Sequence, residues 1–208
     1  WKDHPNCGLY AMGYSKKFDN SIPISAVFVD VNNYSGIVKD FFKSSTVDCV
    51  AWTSAVMIPA YIFKNNSHFN ESLKSGQDTE MWIRIALKEK VAFNSKPTAL
   101  KVTYCDENHL STSKFVIDRL KIFEYFKKYE NNNSSLKRYL DLNRFSMAID
   151  RKINDDNKNY KYLLHEIEKK NLNFKQRLLI KLPKRLLIII KDIQFWLTKR
   201  NIYITSFK

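Results

Sequence analysis

The sequence predicts an α/β fold: part of a mixed sheet domain, followed by an all-α C-terminal region. Three observations carry this. Short segments rich in β-branched and aromatic residues, parted by turn chemistry, fill the first 115 residues. Beyond them the apolar period becomes helical. The charge changes at the same place, from 13 Lys and Arg against 11 Asp and Glu in residues 1–115 to 22 against 10 in residues 116–208. The expected units are 1–115, a helical extension over 116–172, and a basic amphipathic segment over 173–208.

Each element follows from local pattern. Residues 7–14 and 26–31 read as strands joined through the turn residues Asp19-Asn20-Ser21-Ile22-Pro23, a hairpin. Residues 35–42 read as a short helix packed through Ile37, Val38, Phe41 and Phe42. The run 47–58, dominated by small and apolar residues, reads as a buried strand ending at Pro59. A helical turn over Tyr61–Lys64 breaks at Asn65-Asn66-Ser67. Gly76 then opens a helix over 79–89, where Met81, Trp82, Ile85 and Ala86 share a face. Strands at 91–93 and 98–104 are punctuated by Pro97. A helix lined by Ile122, Phe126 and Tyr129 ends at Asn131–Ser135, and 136–150 and 158–170 read as two more.

Composition narrows the function classes. The 208 residues are 44% hydrophobic and 14% aromatic with a net charge of +14, so disorder, which needs low hydrophobicity as well as charge, is excluded. With only 4 glycines, glycine-rich phosphate loops are disfavoured, because the backbone conformations they need are scarce. Cys7, Cys49 and Cys105 are far apart and odd in number, which argues against a disulfide scaffold and for a reducing compartment. No histidine stands at zinc-finger spacing from them. The longest aliphatic run is Leu186–Ile190, far short of the roughly 20 residues of a membrane span.

Residues 174–208 hold 9 basic residues against Asp192 alone. On a helix from Lys184 to Lys199, Leu186, Ile189, Ile190, Ile193, Trp196 and Leu197 fall in one sector. Lys184, Arg185, Lys191, Asp192, Thr198 and Lys199 fall opposite. A basic helix with a greasy face fits an anionic membrane surface, and Lys184, Arg185, Ile189, Ile193 and Trp196 are the candidate contacts. An ordinary C-terminal helix docked on the core has the same pattern. The alternative functions are a basic nucleic-acid-binding module and a non-catalytic membrane-surface protein. The first would interleave aromatics with Lys and Arg, whereas here the aromatics cluster in apolar stretches, so no nucleic-acid partner is expected.

The sharpest local motif is Gly76-Gln77-Asp78-Thr79-Glu80-Met81-Trp82-Ile83-Arg84. A carboxylate at a helix start is favoured by free N–H groups and by the dipole, so Asp78 reads as a helix cap. An oriented carboxylate at the edge of a cleft can also act as a general base. The two roles are compatible.

In its order of features the chain resembles the second half of a family 2 glycosyltransferase of the GT-A fold. The resemblance rests on His4-Pro5 with Gly8–Gly13, on Trp52-Thr53-Ser54-Ala55-Val56-Met57-Ile58-Pro59, and on Phe69-Asn70-Glu71-Ser72-Leu73. It rests also on the Gly76–Arg84 motif, Val91–Phe93, Ala99–Tyr104, Leu110-Ser111-Thr112-Ser113, and a basic Leu-Pro tail at Lys181-Leu182-Pro183-Lys184. It covers residues 1–113 best. It implies a mixed sheet from the acceptor side of a nucleotide-diphospho-sugar transferase, with Asp78 as the base of an inverting sugar transfer. Gln77, Trp82, Arg84 and Ser54 are then the acceptor or cleft residues.

Gln77 stands where the family usually has Glu, and the family's late His has no clean counterpart, Glu107 and His109 lying nearest. The family's Asp-x-Asp metal motif does not occur, Asp155-Asp156 lying outside its place. Trp1 begins about where that motif would end, so the chain is expected to be a fragment, inactive alone. The resemblance implies a nucleotide-sugar donor, and a divalent cation (Mg or Mn) held mostly by residues outside this chain. It implies a lipid-linked or cell-surface glycan acceptor in bacterial polysaccharide synthesis. With the basic tail, it places the protein in the cytoplasm, peripheral on the inner face of the plasma membrane.

Overall fold

The computed structural model describes residues 2–18, 21–64, 68–103 and 116–207. Strand β1 (Leu9–Phe18) is the centre of a mixed sheet. It pairs in parallel along its whole length with β5 (Val91–Thr103). Its other edge is antiparallel to β4 (Val56–Met57) and then to β2 (Ile24–Ser25). β3 (Ser35–Ile37) adds antiparallel to β5. The α/β class with a mixed sheet is therefore as expected.

Pro97 does not split β5 in two. The register shifts on either side of Gly13, which pairs with Pro97; a proline is tolerated where a bulge removes the need for its N–H. Gly13 makes the bulge possible, since a Cβ there would stand 2.2 Å from the Ser95 carbonyl oxygen.

Three elements differ from the sequence expectation. Residues 26–31 are not a strand: the Val27 N–H donates to Asp48 Oδ2 at 2.8 Å and the Val29 N–H to the Ser44 carbonyl at 3.1 Å, so the chain leaves β1 after β2. Residues 35–42 divide into β3 and a one-turn helix α1 (Phe41–Ser44), because Asp40 caps at that point by accepting from the Lys43 N–H. The run 47–58 is buried at Val50 and Ala51 as expected, but it turns in 3-10 form over Thr53–Ala55 before reaching β4. Asp19, Asn20, Asn65–Ser67, Tyr104, Cys105, Glu107, His109 and Leu110–Ser113, named above, lie outside the described residues.

The sheet packs on α2 (Ala60–Lys64) and α3 (Gln77–Ala86) through a core that includes Leu9, Tyr14, Phe28, Ile62, Met81, Ile83 and Phe93. The same core runs on into α4 (Val116–Glu130) and α5 (Ser134–Ile153) through Ile122, Phe126, Leu136 and Leu140. α6 (Asn157–Glu166), α7 (Phe174–Lys181) and α8 (Lys184–Lys199) follow. Asn133 caps α5, and Asp156 caps α6, which is the role of that half of Asp155-Asp156. Between α4 and α5 lies a buried ionic cluster: Arg144 pairs with Glu130 and Asp141, and Lys137 bonds Asp141 at 2.6 Å.

The chain after α8 turns back over the sheet. Asn201 Oδ1 accepts from the Ile22 N–H at 2.8 Å, and the Tyr203 ring stacks on Phe18. The Tyr203 hydroxyl accepts from Lys16 Nζ, which is itself paired with Asp48. The C-terminal segment is thereby tied to the first strand.

Candidate functional site

The site is built where α3 begins. Gly76, not Asp78, is the N-cap residue, with φ 84°, a left-handed conformation that glycine adopts without penalty. Asp78 is the second residue of the helix and is half-buried. Its Oδ1 accepts from the Thr79 N–H at 2.6 Å and from the Thr79 hydroxyl at 3.3 Å. Its Oδ2 accepts from the Thr53 hydroxyl at 3.1 Å, on the exposed side. One carboxylate oxygen is thus fixed by the helix start, and the other faces outward beside the 3-10 turn.

That turn exists because the Ala55 N–H donates to the Trp52 carbonyl at 2.7 Å. It presents Thr53 and Ser54 to solvent while Ala55 anchors it in the core. Thr53, next to the expected Ser54, is the residue that touches Asp78. Beneath lie Cys49 and Tyr139. Burial pushes the Cys49 thiol up to about 11, and the Asp78 charge adds to that rise. Burial also raises the Tyr139 phenol well above its ordinary value, with Cys49 and Asp78 contributing. Both stay protonated at neutral pH, so neither adds a charge to the surroundings of the carboxylate.

The remaining expected residues have other surroundings. Gln77 opens α3, half-buried beside Asp78. Trp82 is 2% exposed and packs edge-on to Phe69, so it belongs to the core and not to an open cleft wall. Its indole nitrogen has no hydrogen-bond partner among the described residues. Arg84 is committed: it forks onto Glu80 at 2.9 Å and donates to the His68 carbonyl at 2.7 Å. It clips the preceding loop to the helix and does not present its charge to a ligand.

Of the tail residues, Lys184 pairs with Asp155, while Arg185, Ile189, Ile193 and Trp196 are exposed. α8 docks through Leu187 and Thr198, both buried. Thr198 was expected on the outward polar side. The helix is therefore rolled so that its apolar stripe points away from the core.

Among the described residues no three His, Cys, Asp or Glu side chains converge on one point. Among them, too, no helix is long and apolar enough to cross a membrane. Tyr139 and Thr53 are the contributors that sequence reasoning missed. Thr53 adjoins a motif residue and could have been included. Tyr139 comes from α5, and its place beside Asp78 is a product of tertiary packing alone. No protein-family model, no curated protein and no solved structure matches this chain.

Proposed function

We propose that the chain is the acceptor-side part of an inverting glycosyltransferase of GT-A type, working on a lipid-linked or cell-surface glycan at the inner face of the plasma membrane. The observation that carries this reading is the divided environment of Asp78. Oδ1 is immobilised by the Thr79 N–H, while Oδ2, held by one hydroxyl, is open on its outer side. A carboxylate held this way is oriented without being neutralised by a cation. In the proposed reaction Oδ2 takes the proton of an acceptor hydroxyl as that oxygen attacks the anomeric carbon of a nucleotide-sugar, opposite the departing diphosphate. Positioned proton transfer of this kind contributes about 10²–10⁴-fold in rate. Thr53 and the Thr79 amide keep the carboxylate in place as the proton arrives. A divalent cation would supply charge neutralisation at the leaving diphosphate.

The membrane part of the reading is supported by the outward stripe of α8 set among Lys and Arg, the combination that binds anionic interfaces. Taken by itself that stripe also favours a second reading, a membrane-surface protein without catalysis. Replacing Asp78 by Asn in the chromosomal gene separates them. Incorporation of radiolabelled sugar into the cell's lipid-linked or surface glycan should fall at least about 10²-fold, with protein level and melting temperature unchanged. Undiminished incorporation in the Asp78→Asn strain would leave only the non-catalytic reading.

A further inference from the structure

A cleft of about 430 Å³ opens between α4, α5, α7 and α8. Its size falls within the roughly 300–1,000 Å³ of ligand sites. Phe123, Phe145, Ile149, Leu187 and Ile190 give it an apolar strip, beside a nearly equal polar lining from groups such as Asn143, Ser146 and Gln194. Two cations, Arg119 and Lys191, and one carboxylate, Asp150, also line it. Asp150 is already balanced: Arg151 stands 2.5 Å away and Lys191 Nζ 4.0 Å away. Arg119 is exposed and has no hydrogen bond or ion pair to another described residue. The cleft thus joins an apolar strip to a guanidinium that no described carboxylate pairs with.

Two relations give the trough a direction. Leu187, Ile190, Lys191 and Gln194 of α8 line it, at i, i+3, i+4 and i+7. The adjoining face of the same helix carries the exposed Leu186, Ile189, Ile193 and Trp196. One end of the cleft therefore lies beside the helix that would rest on the membrane. At the other end Arg119, Phe123 and Asn143 are shared with a second hollow of about 250 Å³, lined by Gly76 and Thr79. Those residues flank Gln77 and Asp78.

We infer that this cleft seats a long-chain phosphate, its apolar chain running along Phe123, Ile149, Leu187 and Ile190 and its phosphate held by Arg119. The inference rests on the glycosyltransferase reading and deepens it, naming an amphiphilic phosphate as the acceptor's anchor. A planar guanidinium matches phosphate oxygens through paired N–H donors. The apolar walls supply what an inorganic anion could not use. The order from α8 to Arg119 to Asp78 runs from membrane to phosphate to base, the sequence of parts in a lipid-linked acceptor.

The test is calorimetric titration of the full chain with octyl phosphate and decyl phosphate below their micelle concentrations, beside inorganic phosphate and decanol. Affinity should rise about fifteenfold from octyl to decyl phosphate, since each of the two added CH₂ groups is worth roughly fourfold when buried. Arg119→Ala should weaken decyl phosphate about tenfold or more and leave decanol unaffected. Ser146→Trp, at an exposed position on the rim, should abolish binding of decyl phosphate while the melting temperature is kept. Inorganic phosphate or decanol binding as tightly as decyl phosphate would overturn the proposal, as would undiminished binding by Ser146→Trp. Asp78→Asn should bind decyl phosphate like the unchanged chain. If the strain carrying Asp78→Asn still incorporates sugar into its glycan, the base assignment fails and the phosphate seat stands; if incorporation falls and the unchanged chain binds no decyl phosphate, the seat alone fails.

Discussion

Helices α3 and α8 carry comparable apolar stripes, yet α3 buries Met81 and Ile83 completely while α8 leaves Ile189, Ile193 and Trp196 about half exposed. The difference lies in what the rest of the chain provides. α3 is enclosed by the sheet, through Leu9 and Phe93, and by α4, whose Ile122 side chain sits against Gly76. Of the described α8 residues, Leu187 and Thr198 are the buried ones, and the returning C-terminal segment covers one edge. Amphipathic periodicity tells which residues share a face. It does not tell whether the chain owns a second surface to cover that face.

The largest effect that sharpens this contrast is on the α3 side. Met81→Ala removes most of a fully buried side chain from the core shared by sheet and helix. Such a truncation should lower unfolding free energy by about 2–5 kcal/mol, read from the urea midpoint. A cost below about 1 kcal/mol would mean that α3 is no better packed than α8, and the contrast would fail.

A smaller effect is expected where α3 starts. Gly76→Ala places a Cβ on a residue at φ 84° and 2.9 Å from Ile122 Cδ1. The left-handed conformation alone should cost about 1–2 kcal/mol. Gly76→Asn should cost less at the backbone, because asparagine tolerates that region better, but it meets the same Ile122 methyl. A stability loss equal in both variants would assign the whole cost to crowding.

These two positions also show what could be read in advance. The α/β class, the helical region after residue 115 and the helix at Asp78 were legible because each is written in local period and capping chemistry. The strand expected over 26–31 was not formed, since Asp48, a residue distant in sequence, takes the Val27 amide that a strand partner would have used. Gly76 was legible as a tight turn, but its role as N-cap moved Asp78 two positions into the helix. The partners of Asp78 were less accessible: Thr53 adjoins a recognised motif, but Tyr139 arrives from α5 by packing. Trp82 and Arg84, singled out for a cleft, proved to be a core side chain and a loop clip.

The smallest effect on stability, and the one that tests the α8 side most directly, comes from replacing Ile189, Ile193 and Trp196 together by Gln. None is buried, and glutamine is at least as good a helix former as isoleucine or tryptophan, so the helix itself is not weakened. Unfolding free energy should change by no more than about 0.5 kcal/mol per site. If the outward stripe meets an anionic bilayer, the unchanged chain floats with vesicles containing phosphatidylglycerol, less so in high salt. The triple variant stays at the bottom of the gradient. The basic residues are untouched in this variant, so retained flotation would assign the attraction to charge alone and leave the apolar face without a membrane role. A large loss of stability would instead mean that the stripe is covered within the folded chain, and α8 would then be a second α3.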